Sequence, residues 1–208
     1  VRLGKLLGYS VPKAWSDIRD KIYLPIDAET KVLLKYDGFN YKGGGCCPDS
    51  LAVFFPLNYK LPEEVEKATY NFYLNSIDGY VGYPMLSSPL GVYASRVGER
   101  KLALELLEKG VADFVVDNFM QFDEFGQSFD KGEALVGPYM ANLGGYLMDC
   151  LYGFTGIKIC EDDPKNWGKY PVVMPEGWEG IEAEVWIKGR KARIRAMHGD
   201  KSAAITFI

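Results

Sequence analysis

The hydrophobic period of this chain changes at Gly156, and that change constrains its fold more than any other feature. Before Gly156 apolar residues recur every three or four positions; after it they alternate. Pro12 to Ile22 carries Trp15, Ile18 and Ile22 at helical spacing. Pro62-Glu63-Glu64 opens a second helix, with acids where the dipole favours them and Val65, Ala68 and Phe72 as its apolar face. Ser88-Pro89 has the form of an N-cap and first-turn proline. Leu90, Tyr93, Ala94 and Val97 follow as a stripe that Gly98 ends. Glu99 to Val115 continues as a helix with Ala103, Leu106, Leu107, Val111 and Phe114 inward, so the Gly98 joint predicts an antiparallel helical hairpin. Pro138 to Phe154 is the last predicted helix, with Met140, Leu143, Gly144, Leu147 and Leu151 on one face. Glycines at 144 and 145 cost a helix about 1 kcal/mol each relative to alanine, which a close neighbour or ligand would offset.

Residues 157–160, 181–187, 191–197 and 202–208 read as strands, and Lys188-Gly189-Arg190 as a hairpin turn. The expected fold is mainly α with a small antiparallel β appendage. The division falls between residues 1–155 and 156–208.

Charge and composition remove several function classes. Twenty-four Lys+Arg against 28 Asp+Glu give a net charge of −4, which argues against nucleic acid as a partner. No apolar run reaches the about 18 residues needed to span a bilayer, so no membrane partner is expected. No signal peptide is visible, and a first residue of Val rather than Met fits a processed or excised chain. Cys46 and Cys47 are adjacent rather than at zinc-ligand spacing, and His198 is the sole histidine. No metal or other cofactor is expected. The cysteines read as reduced thiols of a cytoplasmic protein, His198 as an exposed turn residue, and no Ser-His or Cys-His triad is supported.

Two segments carry chemistry. Residues 23–55 form a long connection with Pro25, Pro48 and Gly43-Gly44-Gly45, and long connections in compact proteins are usually functional. Phe119 to Phe125 sets Asp123 and Glu124 among aromatic rings. Rings such as Phe122 stack on a pyranose face, while a carboxylate activates water or binds hydroxyls. A solvated acidic pair is the alternative reading of Asp123-Glu124.

Gly137-Pro138-Tyr139-Met140-Ala141-Asn142-Leu143-Gly144-Gly145 with Tyr152-Gly153-Phe154-Thr155-Gly156 resembles the last barrel helix and exit strand of glycoside hydrolase family 65. The branch in view cleaves glucose from glucosyl-galactosyl-hydroxylysine. Lys35-Tyr36-Asp37-Gly38-Phe39, Phe55-Pro56-Leu57 and Ala94 to Ala103 are similar to family segments in the same order. The resemblance implies the closing part of an (α/α)6 toroid followed by a small sheet, with the general acid upstream of Val1. It implies an inverting glycoside hydrolase acting on an α-linked glucoside. Glu124 stands in the general-base slot, and Asp123 takes that slot if the register slips by one.

The resemblance further implies sugar contacts from Asp37, Asp49 and Phe122. The family's Lys-Gln pair is replaced by Cys46-Cys47, and Lys42 is the nearby substitute donor. Thiols are poor hydrogen-bond formers, so the sugar specificity, or the competence of the site, is put in question. Three other readings stay open: a glycoside phosphorylase, a non-catalytic carbohydrate-binding or assembly module, and a plain helical scaffold. As the end of a larger barrel, the chain is expected to be inactive alone. It would need its missing N-terminal part or a partner chain, and would expose apolar helix faces prone to self-association.

Overall fold

A computed structural model describes residues 1–40, 49–75, 84–115 and 138–208. Helices come first and a three-stranded antiparallel sheet last, as the change of period predicts. Helices α1 (Arg2–Leu6) and α2 (Lys13–Lys21) begin the chain, and neither holds a buried residue. The α2 stripe lies in solvent instead, with Trp15, Ile18 and Ile22 exposed by 58%, 62% and 63%.

Helix α3 (Glu63–Leu74) starts after Pro62 and carries Glu63, Glu64 and Glu66 in its first turn. Its buried face is Val65, Thr69, Tyr70, Tyr73 and Leu74, rotated from the predicted Val65, Ala68 and Phe72. Interior hydrogen bonds explain the rotation. The Thr69 hydroxyl donates to the Val65 carbonyl at 2.6 Å and accepts the Leu33 N–H at 2.9 Å. Tyr73 donates to Ser50 Oγ at 3.1 Å. Polar tips that find partners can be buried, so polarity alone misplaces this face.

Helix α4 (Pro84–Arg96) starts before the predicted Ser88 cap. Pro84 supplies the first turn, while Pro89 falls inside the helix and, lacking an N–H, removes one rung. Every residue from Leu90 to Arg96 is buried, which makes α4 the central helix. Helix α5 (Arg100–Gly110) packs against it after a turn at Gly98, where φ is +83°. The predicted inward residues Ala103, Leu106, Leu107, Val111 and Phe114 are all buried, the last in a 3-10 turn (Ala112–Phe114). Val97, predicted to end the α4 stripe, is 39% exposed.

Helix α6 (Met140–Met148) runs into a π-helical segment (Asp149–Phe154). The predicted face is displaced: Met140 and Leu147 are exposed, while Asn142, Gly145, Asp149 and Gly153 are buried. Close packing on α4 is the cause. A Cβ on Gly153 would stand 3.2 Å from the Val92 Cα, and one on Gly91 would stand 2.5 Å from Asp149 Oδ1. Gly144, by contrast, faces open space. The close approach predicted for the Gly144-Gly145 pair is therefore met at Gly91 and Gly153.

Strands β1 (Gly180–Ile187), β2 (Arg190–Met197) and β3 (Ala204–Phe207) pair in that order. Lys188 and Gly189 both take positive φ, as a two-residue primed turn requires. Ala192, Ile194 and Ala196 face the core, while Lys191, Arg193 and Arg195 face solvent and pair with Glu184 and Glu182. Residues 157–160 form no strand; Ile157 makes one isolated bridge to Gly168. A single apolar cluster runs from Leu51 and Tyr93 through Phe154 to Ile187, Ile194 and Ile205, so helices and sheet share a core.

Among the described residues, no helix is long and apolar enough to cross a membrane, and no cluster of His, Cys, Asp and Glu is arranged for a metal. Cys150 and Cys160 are free. His198 is exposed, with Arg100 Nη2 2.9 Å from its Nδ1.

Candidate functional site

The segment 23–40 is built to hold a turn against α3. Asp27 Oδ1 accepts hydrogen bonds from the N–H groups of Glu29 and Thr30 and from the Thr30 hydroxyl, at 2.7–3.1 Å. That turn brings Ile26 opposite Leu33 in an antiparallel bridge. Thr69 then fixes the Leu33 N–H to α3. One turn further along α3, Tyr73 fixes Ser50 in the 3-10 segment Asp49–Val53. Two rungs of one helix thus set the spacing between the Lys35 loop and Asp49.

Lys35 Nζ lies 3.3 Å from Asp49 Oδ2. The Lys35 side chain is 18% exposed and the Asp49 side chain 64%. Lys35 also sits 5.5 Å from the Phe39 ring centroid, and Phe39 meets Tyr36 edge to face at 5.1 Å. Gly38 takes a φ of +75° to turn the loop, leaving Asp37 and Tyr36 exposed beside it. The cluster offers a cation, two carboxylates and aromatic faces on one rim. Those are the groups that bind hydroxyls and the apolar face of a sugar ring.

Of the expected site residues, Asp37 and Asp49 therefore fall in one region. Lys42, Phe122, Asp123 and Glu124, like Cys46 and Cys47, lie outside the described residues. Lys35, which sequence reasoning did not single out as a candidate, is the residue paired with Asp49 here. Its charge immediately before the Tyr36-Asp37-Gly38 segment is the available signal.

Asp149 is a buried ionisable group that the sequence concealed. It is fully buried between α6 and α4, at the start of the π-helical segment. Burial pushes its carboxyl well above the ordinary carboxylate range; the nearby Val92 N–H offsets this in part. Neither oxygen makes a hydrogen bond of normal geometry. A carboxyl whose folded pKa is raised favours the fold below its unfolded pKa and loses that contribution as pH climbs toward the folded value. Wild type should therefore lose thermal stability as pH rises from about 3.8 upward through this group. Asp149→Asn, which resembles the protonated acid, should lack that slope and melt higher than wild type at pH 8. Thermal melts of both chains between pH 4 and pH 8 would show it. Parallel slopes would refute a buried, mostly protonated Asp149.

The chain is similar to several known proteins. The chain is 28% identical over 159 residues to a protein-glucosylgalactosylhydroxylysine glucosidase of Danio rerio, matching 76% of this chain and 23% of that protein. A cell wall acid trehalase of Candida albicans is 29% identical over 163 residues, with 75% of this chain and 15% of that protein covered. A kojibiose phosphorylase of Thermoanaerobacter brockii is 21% identical over 208 residues, 84% of this chain and 24% of that protein. The chain is thus similar in sequence to a glucosidase, a trehalase and a phosphorylase, in line with the resemblance to glycoside hydrolase family 65. No protein-family profile matches it. Among solved structures, a putative kojibiose phosphorylase from the human microbiome superposes with a TM-score of 0.57 at 15% identity, over all of this chain and 30% of that one. That likeness is one of fold. The chain spans less than a quarter of the Danio rerio and Thermoanaerobacter brockii proteins' length.

Proposed function

We propose that this chain is the C-terminal part of an enzyme that hydrolyses an α-linked glucoside with inversion. Its helices would close an (α/α)6 toroid, residues 1–155, with residues 156–208 as the appended sheet. The observation that carries this reading is the shared kinship with a glucosidase and a trehalase, combined with an acid at position 124. In an inverting reaction one carboxylic acid protonates the leaving oxygen. A carboxylate on the opposite sugar face takes a proton from water, the two standing roughly 6.5–9.5 Å apart. Glu124 would be that base, with the acid supplied upstream. Lys35, Asp49 and Asp37 would hold hydroxyl groups at the rim, with Tyr36 and Phe39 under the ring.

A phosphorylase is the second reading, favoured by the kinship with a kojibiose phosphorylase. Phosphate would then replace water as nucleophile and no base would be needed. Turnover of α-glucosides by the longer protein in phosphate-free buffer separates the two. Release of free glucose there supports hydrolysis, while turnover that appears only with phosphate overturns it. Binding of α-glucosides without turnover in either buffer would favour a carbohydrate-binding module.

The exposed apolar residues of α1 and α2 bear on the same proposal. Leu3 and Leu6 on α1, and Trp15, Ile18 and Ile22 on α2, are large apolar side chains left exposed, and contiguous apolar surface of that kind is rare on monomers. Helices that complete the toroid would cover it. The 208-residue chain by itself should therefore associate in light scattering, and Ile18→Glu with Trp15→Glu should reduce that association. A monodisperse monomer would contradict the proposal.

A further inference from the structure

A pocket of about 340 Å³ opens where α4, the π-helical segment and the start of the sheet region meet. Its walls are Pro56, Met148, Tyr152, Ile157 and Ile159, and its polar groups include Arg96 and Asn58. We infer that this pocket binds a small organic anion, a carboxylate joined to an apolar body.

Arg96 is the reason. It is 7% exposed, yet among the described residues no carboxylate pairs with it. Its Nη1 donates to the Phe54 carbonyl at 3.1 Å and its Nη2 to Asn58 Oδ1 at 3.4 Å, both neutral acceptors. The guanidinium carbon sits 4.9 Å from the Phe55 ring centroid and 4.9 Å from that of Tyr170. Two ring faces and the carbonyl end of α4 offset part of the charge, but buried cations are normally paired with an anion.

A second cation reinforces the field. Lys158 Nζ lies 5.8 Å from the same Tyr170 ring, and it too has no carboxylate partner among the described residues. Lys158 stands between Ile157 and Ile159, the two isoleucines of the pocket wall. Positive charge therefore gathers at this pocket with no carboxylate paired to it among the described residues.

The walls decide what accompanies the anion. A sugar would leave most of its hydroxyls unpaired against Met148, Ile157 and Ile159, and a buried unsatisfied polar group is costly. Inorganic phosphate would leave the apolar walls in water. A carboxylate on an aromatic or aliphatic body matches both ends, and the volume lies in the range of small-ligand sites. This site is separate from the Lys35–Asp49 rim, so its test is independent of the proposed glucoside chemistry.

Calorimetric titration of the full chain with phenylacetate, phenylacetamide and inorganic phosphate tests it. Phenylacetate should bind with a Kd of about 1 mM or tighter, and the neutral amide and phosphate at least about tenfold more weakly. Ile159→Glu places a like charge on an exposed pocket residue, and Lys158→Gln removes the outer cation; each should weaken phenylacetate. Both are outside the fully buried core, so folding is checked simply by near-ultraviolet circular dichroism. Equal binding of acid and amide, equal binding of phosphate, no phenylacetate binding at about 10 mM, or an affinity unmoved by Ile159→Glu would each overturn the inference.

Discussion

Glu124→Gln in the longer protein is expected to lower α-glucoside turnover by about 10²–10⁴-fold, the usual worth of a general base. The substitution keeps the size and hydrogen-bonding reach of the side chain and removes only its capacity to take a proton. Substrate binding should therefore hold while kcat and kcat/KM fall together, the signature of an interaction made in the transition state. Asp123→Asn tests the neighbouring acid in the same assay. A large loss at 123 with little at 124 would move the base by one residue. A loss below about tenfold at both would remove the base from this segment altogether and favour the phosphorylase or binding-module readings.

What the sequence discloses about the fold depends on how each element earns its place. The sheet and α5 were legible because their apolar periods are unbroken and their inner faces are purely hydrophobic, as Ala103, Leu106 and Phe114 or Ile194 and Ala196 illustrate. The start of α4 was not, since Pro84 and Pro89 both suit a first turn and only the surrounding packing chooses between them. The faces of α3 and α6 were misplaced for a shared reason. Tyr73 and Thr69 are buried through hydrogen bonds, and Gly153 through close helix approach, so hydrophobicity ranks the wrong residues as inward. The candidate site divides similarly. Asp49 was reachable by resemblance, whereas its pairing with Lys35 depends on α3 holding two distant loops in step. Arg96 and Asp149 gave no signal, because an ionisable residue within a helical stripe reads as surface until the neighbours are known.

Gly156→Ala is expected to cost on the order of 3 kcal/mol or more of folding stability, from two effects that add. Gly156 has a φ of +68°, a conformation that costs an L side chain about 1–2 kcal/mol. An alanine Cβ there would also stand 2.3 Å from the Tyr170 carbonyl oxygen and 2.7 Å from that of Pro171. Both obstacles are backbone, and the approach is held in place: Tyr170 N–H donates to the Gly156 carbonyl at 3.0 Å, and Gly156 N–H to the Gly153 carbonyl at 3.1 Å. The residue follows the π-helical segment and leads directly into buried Ile157, so relief of the clash would pull the sheet region off the helices. Gly98→Ala isolates the conformational part, for Gly98 shares a positive φ of +83° but faces open space. Denaturant melts should place Gly98→Ala within about 1–2 kcal/mol of wild type and Gly156→Ala well below it. Equal losses at the two positions would mean that residues 170–171 can yield, and that the helix-to-sheet joint is softer than its close contacts imply.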